Sequence, residues 1–224
     1  MLIPCYNERT TLAEIVRRVR AVDMGLEVEI VIVDDGSTDG SREVLDALER
    51  DGAARAFYLE RNQGKGVAVQ RALREATGDI MVVQDADLEY DPEELPRLLR
   101  PILTGRSKVV YGSRFLGEHK AMYFWHSVGN RIVTLFTNIL YDTTLTDMET
   151  GYKMATADVM RRIKLTSPRW GFDPEITARI LRTGARIYEV PISFTGREFY
   201  EGKKISWRDA FIVIATLLRC RFFA

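Results

Sequence analysis

The chain has little of several things that would fix a class at once. Its 224 residues include only two cysteines, Cys5 and Cys220, at opposite ends. Two thiols so placed form neither a disulfide framework nor a metal-ligand spacing, so a reducing cytoplasmic setting is expected. Histidine is equally scarce: His119 and His126 are the only two, both in loop or helix-start contexts, and neither is expected to carry chemistry. No apolar run approaches the ~20 residues that span a bilayer. The longest, Ala210 to Leu218, is about half that. No signal peptide is expected, because the first residues already read as a motif-bearing strand. Internal repeats, low-complexity tracts and linkers are missing, which argues for one domain. A Gly-x₄-Gly-Lys-Ser/Thr loop is also missing, so Lys65 between its glycines is not a P-loop lysine.

What is present is ordinary in bulk and uneven in detail. Apolar residues make up 46% and charged residues 29%, the balance of an ordered globular domain. The net charge is zero, yet residues 1–94 carry 21 of the 32 acids and 11 of the 32 bases. The remaining residues therefore hold 11 acids and 21 bases. An acidic half followed by a basic half suggests a metal site in the first and an anionic partner for the second. No nucleic-acid partner is expected.

Strands and helices alternate through the first half. Met1–Pro4 predicts a strand and Glu8–Ala21 a helix with apolar positions at Leu12, Ile15, Val16 and Val19. Glu29–Val33 predicts a buried parallel strand. Ser37-Thr38-Asp39 offers a helix cap, Ser37 or Thr38 being the expected group, before a helix over Arg42–Arg50. A strand at Ala56–Leu59, a helix at Gly66–Ala76 and a strand at Asp79–Val83 follow. This alternation argues for a mostly parallel α/β sheet flanked by helices, Rossmann-like in plan. The second half is less regular. Val109–Tyr111, Tyr152–Met154 and Arg186–Phe194 predict strands; Phe124–Leu140 and Asp173–Thr183 predict helices. Core packing is expected for most of Phe124–Leu140.

Asp85-Ala86-Asp87 follows the Asp79–Val83 strand directly. In a parallel sheet, ligands collect at the carboxyl ends of the strands, so these carboxylates stand at the crevice rim. Two acids at i and i+2 around a small residue can reach one hard cation, with substrate phosphates completing its shell. Glu89 is a further candidate ligand. Asp34-Asp35 sits similarly after its own strand, where a free carboxylate could accept from a nucleotide base.

Four motifs in order, Pro4-Cys5-Tyr6-Asn7-Glu8, Asp34-Asp35-Gly36-Ser37-Thr38-Asp39-Gly40, Asn62-Gln63-Gly64-Lys65-Gly66 and Asp85-Ala86-Asp87, strongly resemble the inverting GT-A glycosyltransferases of family 2. The resemblance implies that Pro4, Tyr6, Glu8 and Asp35 line the nucleoside pocket. It implies that Lys65 helps the donor site, and that Asp85, Ala86 and Asp87, with Glu89, manage a Mg²⁺ or Mn²⁺ ion and the diphosphate. The donor and metal half would be 1–94, the acceptor half 95–206, with a possible interfacial helix over 207–224.

Within that family the second half resembles the dolichyl- and polyprenyl-phosphate sugar synthases, through Tyr111-Gly112-Ser113-Arg114, Gly129-Asn130-Arg131, Thr146–Lys153 and Glu189–Phe194. The departure is Glu149-Thr150 in the acceptor loop, where relatives carry Thr-Ser-Gly or Thr-Gly-Ser. The implied reaction moves a hexose from GDP-mannose or UDP-glucose to a polyprenyl phosphate. A lipid phosphate is already anionic near neutral pH, its second pKa being about 6. Such an enzyme needs cations for the acceptor rather than a base. Arg114, Arg131 and Arg197 occupy the phosphate-binding positions, and guanidinium forks suit phosphate oxygens. Gly196–Lys204, with Lys203, has the composition of a lid over a diphosphate. Asp147 is expected to orient the phosphate or an arginine.

The alternative is a family 2 enzyme with a soluble or polysaccharide hydroxyl acceptor, which would need a base, Asp147 or Glu149. A nucleotidyltransferase is disfavoured because Tyr6-Asn7-Glu8 stands where its glycine-rich loop would be. A non-catalytic sugar-nucleotide binder would not need the acceptor-side arginines. Met122–Trp125 and the segment from Trp207 on, rich in aromatics and arginine, suit a peripheral membrane contact without a span.

Overall fold

The computed structural model describes residues 1–167, 171–196 and 209–223. Among these residues, seven strands and eight α-helices follow in the order β1 (Leu2–Cys5), α1 (Leu12–Ala21), β2 (Val31–Asp34), α2 (Ser41–Arg50), β3 (Arg55–Tyr58), α3 (Lys65–Glu75), β4 (Ile80–Val82), α4 (Leu95–Leu103), β5 (Val109–Ser113), α5 (Phe124–Tyr141), β6 (Lys153–Thr156), α6 (Ala157–Met160), α7 (Phe172–Arg182), β7 (Ile187–Pro191) and α8 (Asp209–Phe222). One sheet runs β1-β2-β3 and the other β4-β6-β5-β7. A parallel bridge between Leu2 and Val83, with Gln84 N–H donating to Leu2 O, joins them into one surface. β6 pairs antiparallel with both β4 and β5, and every other pairing is parallel. This is the mostly parallel α/β sheet that the strand–helix alternation predicts.

The central strands are apolar and β-branched because both faces are covered: β2 is buried along its whole length. α1 buries Leu12, Ile15, Val16 and Val19, an i, i+3, i+4, i+7 stripe against the sheet. It starts later than its periodicity suggests. Asn7 takes a left-handed φ of 56°, and the chain around it is tied to the next strand's loop rather than wound into a helix.

Two features depart from expectation. α4 was not foreseen, because Pro96 and Pro101 interrupt its leucine pattern; Pro96 sits in the first turn, where its missing N–H is harmless. Its Leu95, Leu98 and Leu99 nevertheless pack as one core cluster with Val110 and Tyr152. The second departure corrects the core reading of α5. Only Asn130, Val133, Thr134 and Thr137 are buried there. Phe124, Trp125, Ile132, Leu135 and Ile139 are exposed, Trp125 by 79%. Beside α5 packs α8, itself exposing Phe211, Ile212 and Phe222. None of the described helices is long and apolar enough to cross a membrane.

Candidate functional site

The carboxyl ends of β1, β2 and β4 open onto one rim, and the loops leaving them are laced together. Asn7 N–H donates to Ser37 Oγ and Glu8 N–H to Ser41 Oγ, both at 2.9 Å, while Thr38 N–H donates to Asn7 Oδ1 at 2.9 Å. Ser37 is therefore spent on the neighbouring loop. The group that receives the start of α2 is Asp39, whose Oδ1 accepts from Ser41 N–H at 3.0 Å. This corrects the expectation that Ser37 or Thr38 caps. Gly36 is obligatory: its φ is +74°, and a Cβ would lie 2.5 Å from the Arg61 carbonyl carbon.

Neither member of Asp34-Asp35 is free. Asp34 is fully buried, accepts from Gly36 and Ser37 N–H, and pairs with Arg42 Nε at 2.8 Å. Asp35 accepts from Gln63 N–H and Gly64 N–H at 2.7 Å each, drawing the Asn62–Gly66 motif to the rim. Pro4, Tyr6 and Glu8 line the same edge; Tyr6 is exposed, and Glu8 Oε2 accepts from Thr11 Oγ1 at 2.7 Å.

Lys65 opens α3 and reaches across to Asp85, its Nζ lying 2.6 Å from Oδ1 and 2.9 Å from Oδ2. Gly66 lets the start of α3 pack against the 167 backbone, since a Cβ there would stand 2.1 Å from Ser167 O. Beyond Asp85 the chain turns sharply. Leu88 adopts a φ of 63°, and Glu89 N–H donates to Asp87 Oδ1 at 3.1 Å. Ala86 is buried, while Asp85, Asp87 and Glu89 are partly accessible. No set of three or more acidic, histidine or cysteine side chains among the described residues converges as a ready-made cation cage. The donor set still fits Mg²⁺ or Mn²⁺, because such ions take one or two protein carboxylates and fill the rest with water and phosphate oxygens.

The other wall comes from residues 146–153. Asp147 is fully buried. Its oxygens accept from Arg114 Nε and Nη2, each at 2.7 Å, and from Arg114 N–H at 3.0 Å. Glu189, on β7, accepts from Thr146 and Asp147 N–H and holds the loop onto the sheet. Gly151 N–H donates to Tyr90 Oη at 2.8 Å. A Cβ on Gly151 would lie 2.8 Å from Asp85 Oδ2, so the two walls touch here. Lys153, wholly buried, pairs with Asp173 at 2.6 Å and also donates to Thr150 O. Burial and the Asp173 charge push the Glu149 carboxyl up to about 8.

Asp85, Lys65, Arg114 and Asp147 are thus brought close, with Asp87 and Glu89 on the loop beside them. Arg131 is exposed, its guanidinium 5.5 Å from the Phe115 ring. Arg197 and Lys203, and with them most of the suspected lid, lie outside the described residues. Sequence reasoning missed Tyr90, Lys153 and Asp173 as members of the site. Lys153 carried a usable signal: a lysine between Tyr152 and Met154, in an apolar strand, requires a buried counter-charge.

Residues 1–163 match the protein-family model described as glycosyl transferase family 2. An undecaprenyl-phosphate mannosyltransferase of Micrococcus luteus is 35% identical over 212 residues, covering 90% of this chain and 85% of that protein. An undecaprenyl-phosphate 4-deoxy-4-formamido-L-arabinose transferase of Pseudomonas aeruginosa is 44% identical over 139 residues, 60% of this chain; the chain spans only 40% of that protein's length. Among solved structures, the glucosyl-3-phosphoglycerate synthase of Mycobacterium tuberculosis, in complex with Mn²⁺, UDP and glucosyl-3-phosphoglycerate, superposes with a TM-score of 0.74. That match covers 98% of this chain and 78% of the other, at 22% identity, so it shows the GT-A fold alone.

Proposed function

We propose, since the chain belongs to glycosyl transferase family 2, that it moves a hexose from a nucleotide-diphosphate sugar, GDP-mannose or UDP-glucose, to a polyprenyl phosphate with inversion. One observation carries the choice of acceptor. An alcohol needs a general base, and both candidates for that role are compromised. Asp147 has both carboxylate oxygens bonded by Arg114. Burial and the Asp173 charge push the Glu149 carboxyl up to about 8, which favours its neutral form at neutral pH. A phosphate acceptor arrives already anionic and needs neither.

In this reading Pro4, Tyr6, Glu8 and Asp35 border the nucleoside, and Lys65 with Asp85 and Asp87 meets the diphosphate. Asp85, Asp87 and Glu89 would hold Mg²⁺ or Mn²⁺, which neutralises charge on the leaving diphosphate when bound. Arg114, Arg131, Arg197 and Lys203 would receive the acceptor phosphate, Arg114 being fixed by Asp147. The acceptor oxygen then attacks the anomeric carbon from the face opposite the diphosphate. The exposed apolar faces of α5 and α8 support peripheral contact with the cytoplasmic membrane surface, where such an acceptor resides.

The test is incubation with radiolabelled GDP-mannose or UDP-glucose, a short polyprenyl phosphate and Mg²⁺ or Mn²⁺. Label passing into the organic phase is expected, and Asp87→Ala should abolish it. Transfer to a water-soluble sugar with none to the lipid would reverse the acceptor reading. Full activity in Asp87→Ala under saturating metal would refute the role of that carboxylate.

A further inference from the structure

Two buried polar atoms beside the second wall lack a hydrogen-bond partner among the described residues. Asn130, on the inward side of α5, is 9% exposed, and its Nδ2 has no hydrogen-bond partner among the described residues. Glu149 Oε1 is likewise sealed and without a partner there. Buried donors and acceptors are almost always satisfied, so an orphan of each kind calls for an explanation.

Their elements bring them to one level. The 145–149 loop runs along α5 in the opposite direction. Asn138 exchanges two hydrogen bonds with the Leu145 backbone, and one turn nearer the helix start Thr134 Oγ1 accepts from Met148 N–H at 3.2 Å. The next turn of α5 presents Asn130 on the same face, and the next residue of the loop is Glu149. Glu149 adjoins the Arg114–Asp147 and Lys153–Asp173 pairs, whose charges act on it. Gly151, two residues on, abuts Asp85.

The chemistry of the missing partner follows. Lys153, whose charge acts on Glu149, is committed to Asp173 and to Thr150 O and is not available to hold a phosphate beside that carboxyl. An unprotonated phosphate oxygen only accepts, and so cannot donate to the unprotonated oxygen of the Glu149 carboxyl. A metal would sit beside Lys153 and Arg114. A hydroxyl both donates and accepts, and so satisfies an amide N–H and a carboxyl oxygen together.

Building on the nucleotide-sugar reading above, we infer that Asn130 and Glu149 form the subsite that holds hydroxyls of the transferred sugar and so determine which sugar is accepted. A site built to hydrogen-bond a hydroxyl discriminates strongly against a substrate lacking it, because its own buried groups are then left unpaired.

The experiment is isothermal titration of the full chain, with Mn²⁺, by GDP-mannose, UDP-glucose, UDP-galactose and the bare diphosphates GDP and UDP. Wild type is expected to prefer one sugar nucleotide. Glu149→Ala and Asn130→Ala should weaken that ligand by roughly 10- to 100-fold and level the preference among sugars, while the bare diphosphate binds unchanged. Glu149→Gln, which keeps an acceptor oxygen and a donor, should retain the preference. Asn130→Asp, nearly isosteric, should lose it, and covers the case in which the alanine variants do not fold. Folded variants with an unaltered preference would overturn the inference while leaving the glycosyltransferase reading intact. Failure of the wild type to bind any of the sugar nucleotides would overturn both.

Discussion

Lys65 Nζ sits between the two carboxylate oxygens of Asp85, at 2.6 and 2.9 Å, from the first residue of α3. Under the proposed reading, a metal held by Asp85 would share the carboxylate with this lysine. The lysine acts as an internal counter-ion.

Removing that cation separates its two effects. Lys65→Met should lower turnover by about 100-fold, as loss of one charge-stabilising group does. The Mn²⁺ concentration for half-activity should fall by roughly 10-fold, because a positive neighbour no longer opposes the ion. A Mn²⁺ titration of activity checks both. A half-activity concentration that rose instead would mean that Lys65 assists the metal.

The Arg114–Asp147 pair is buried, so breaking it should cost stability out of proportion to its surface area. Arg114→Met alone should destabilise by about 3–5 kcal/mol, since it strands a buried carboxylate. The double variant Arg114→Met/Asp147→Leu should cost clearly less than the sum of the single changes. Urea unfolding of the four members of the cycle measures this coupling.

Glu149 gives a pH signature. Burial raises its carboxyl from 4.5 to about 8 in the folded chain, so the native state binds a proton that the unfolded state releases. The stability it contributes is complete below about 4.5 and is lost as pH rises through 8. The urea midpoint of wild type relative to Glu149→Gln should therefore fall steadily from pH 5 to pH 8. A constant difference would show that the group titrates normally.

Trp125 reports on the apolar face. It is exposed at the start of α5, its ring centroid 5.1 Å from that of Phe124. Vesicles containing anionic lipid should shift the tryptophan emission to the blue, and Trp125→Phe should remove most of that shift. Phe124→Ser/Trp125→Ser should weaken flotation with those vesicles several-fold.

Much of the rim formed by β1, β2 and β4 was legible because its signals are local. An apolar strand followed at once by acids, as in Asp79–Asp87, places those acids at a sheet edge whatever the rest of the chain does. The second wall depends on contacts between distant residues: Asp147 with Arg114, 33 apart, and Tyr90 with Gly151, 61 apart. No periodicity encodes such pairings. Asp173 was invisible for the same reason, reading as an ordinary acid at a helix start until Lys153 is placed beside it. The outward face of α5 misled because hydrophobic residues all round a helix normally mean burial, and here they mean a surface.

The reversed direction of β6 has a topological consequence. β5 leaves the sheet at the rim with Ser113, and β6 returns to the sheet from that same rim with Lys153. Everything between them is an excursion that begins and ends at the crevice, and Arg114 and Asp147 tie its neck. α5 hangs in that noose with its apolar face outward. Glu189 on β7 and the bridge between His119 and Phe194 fasten the excursion to the sheet edge as well, so it is held along its length and not at its neck alone.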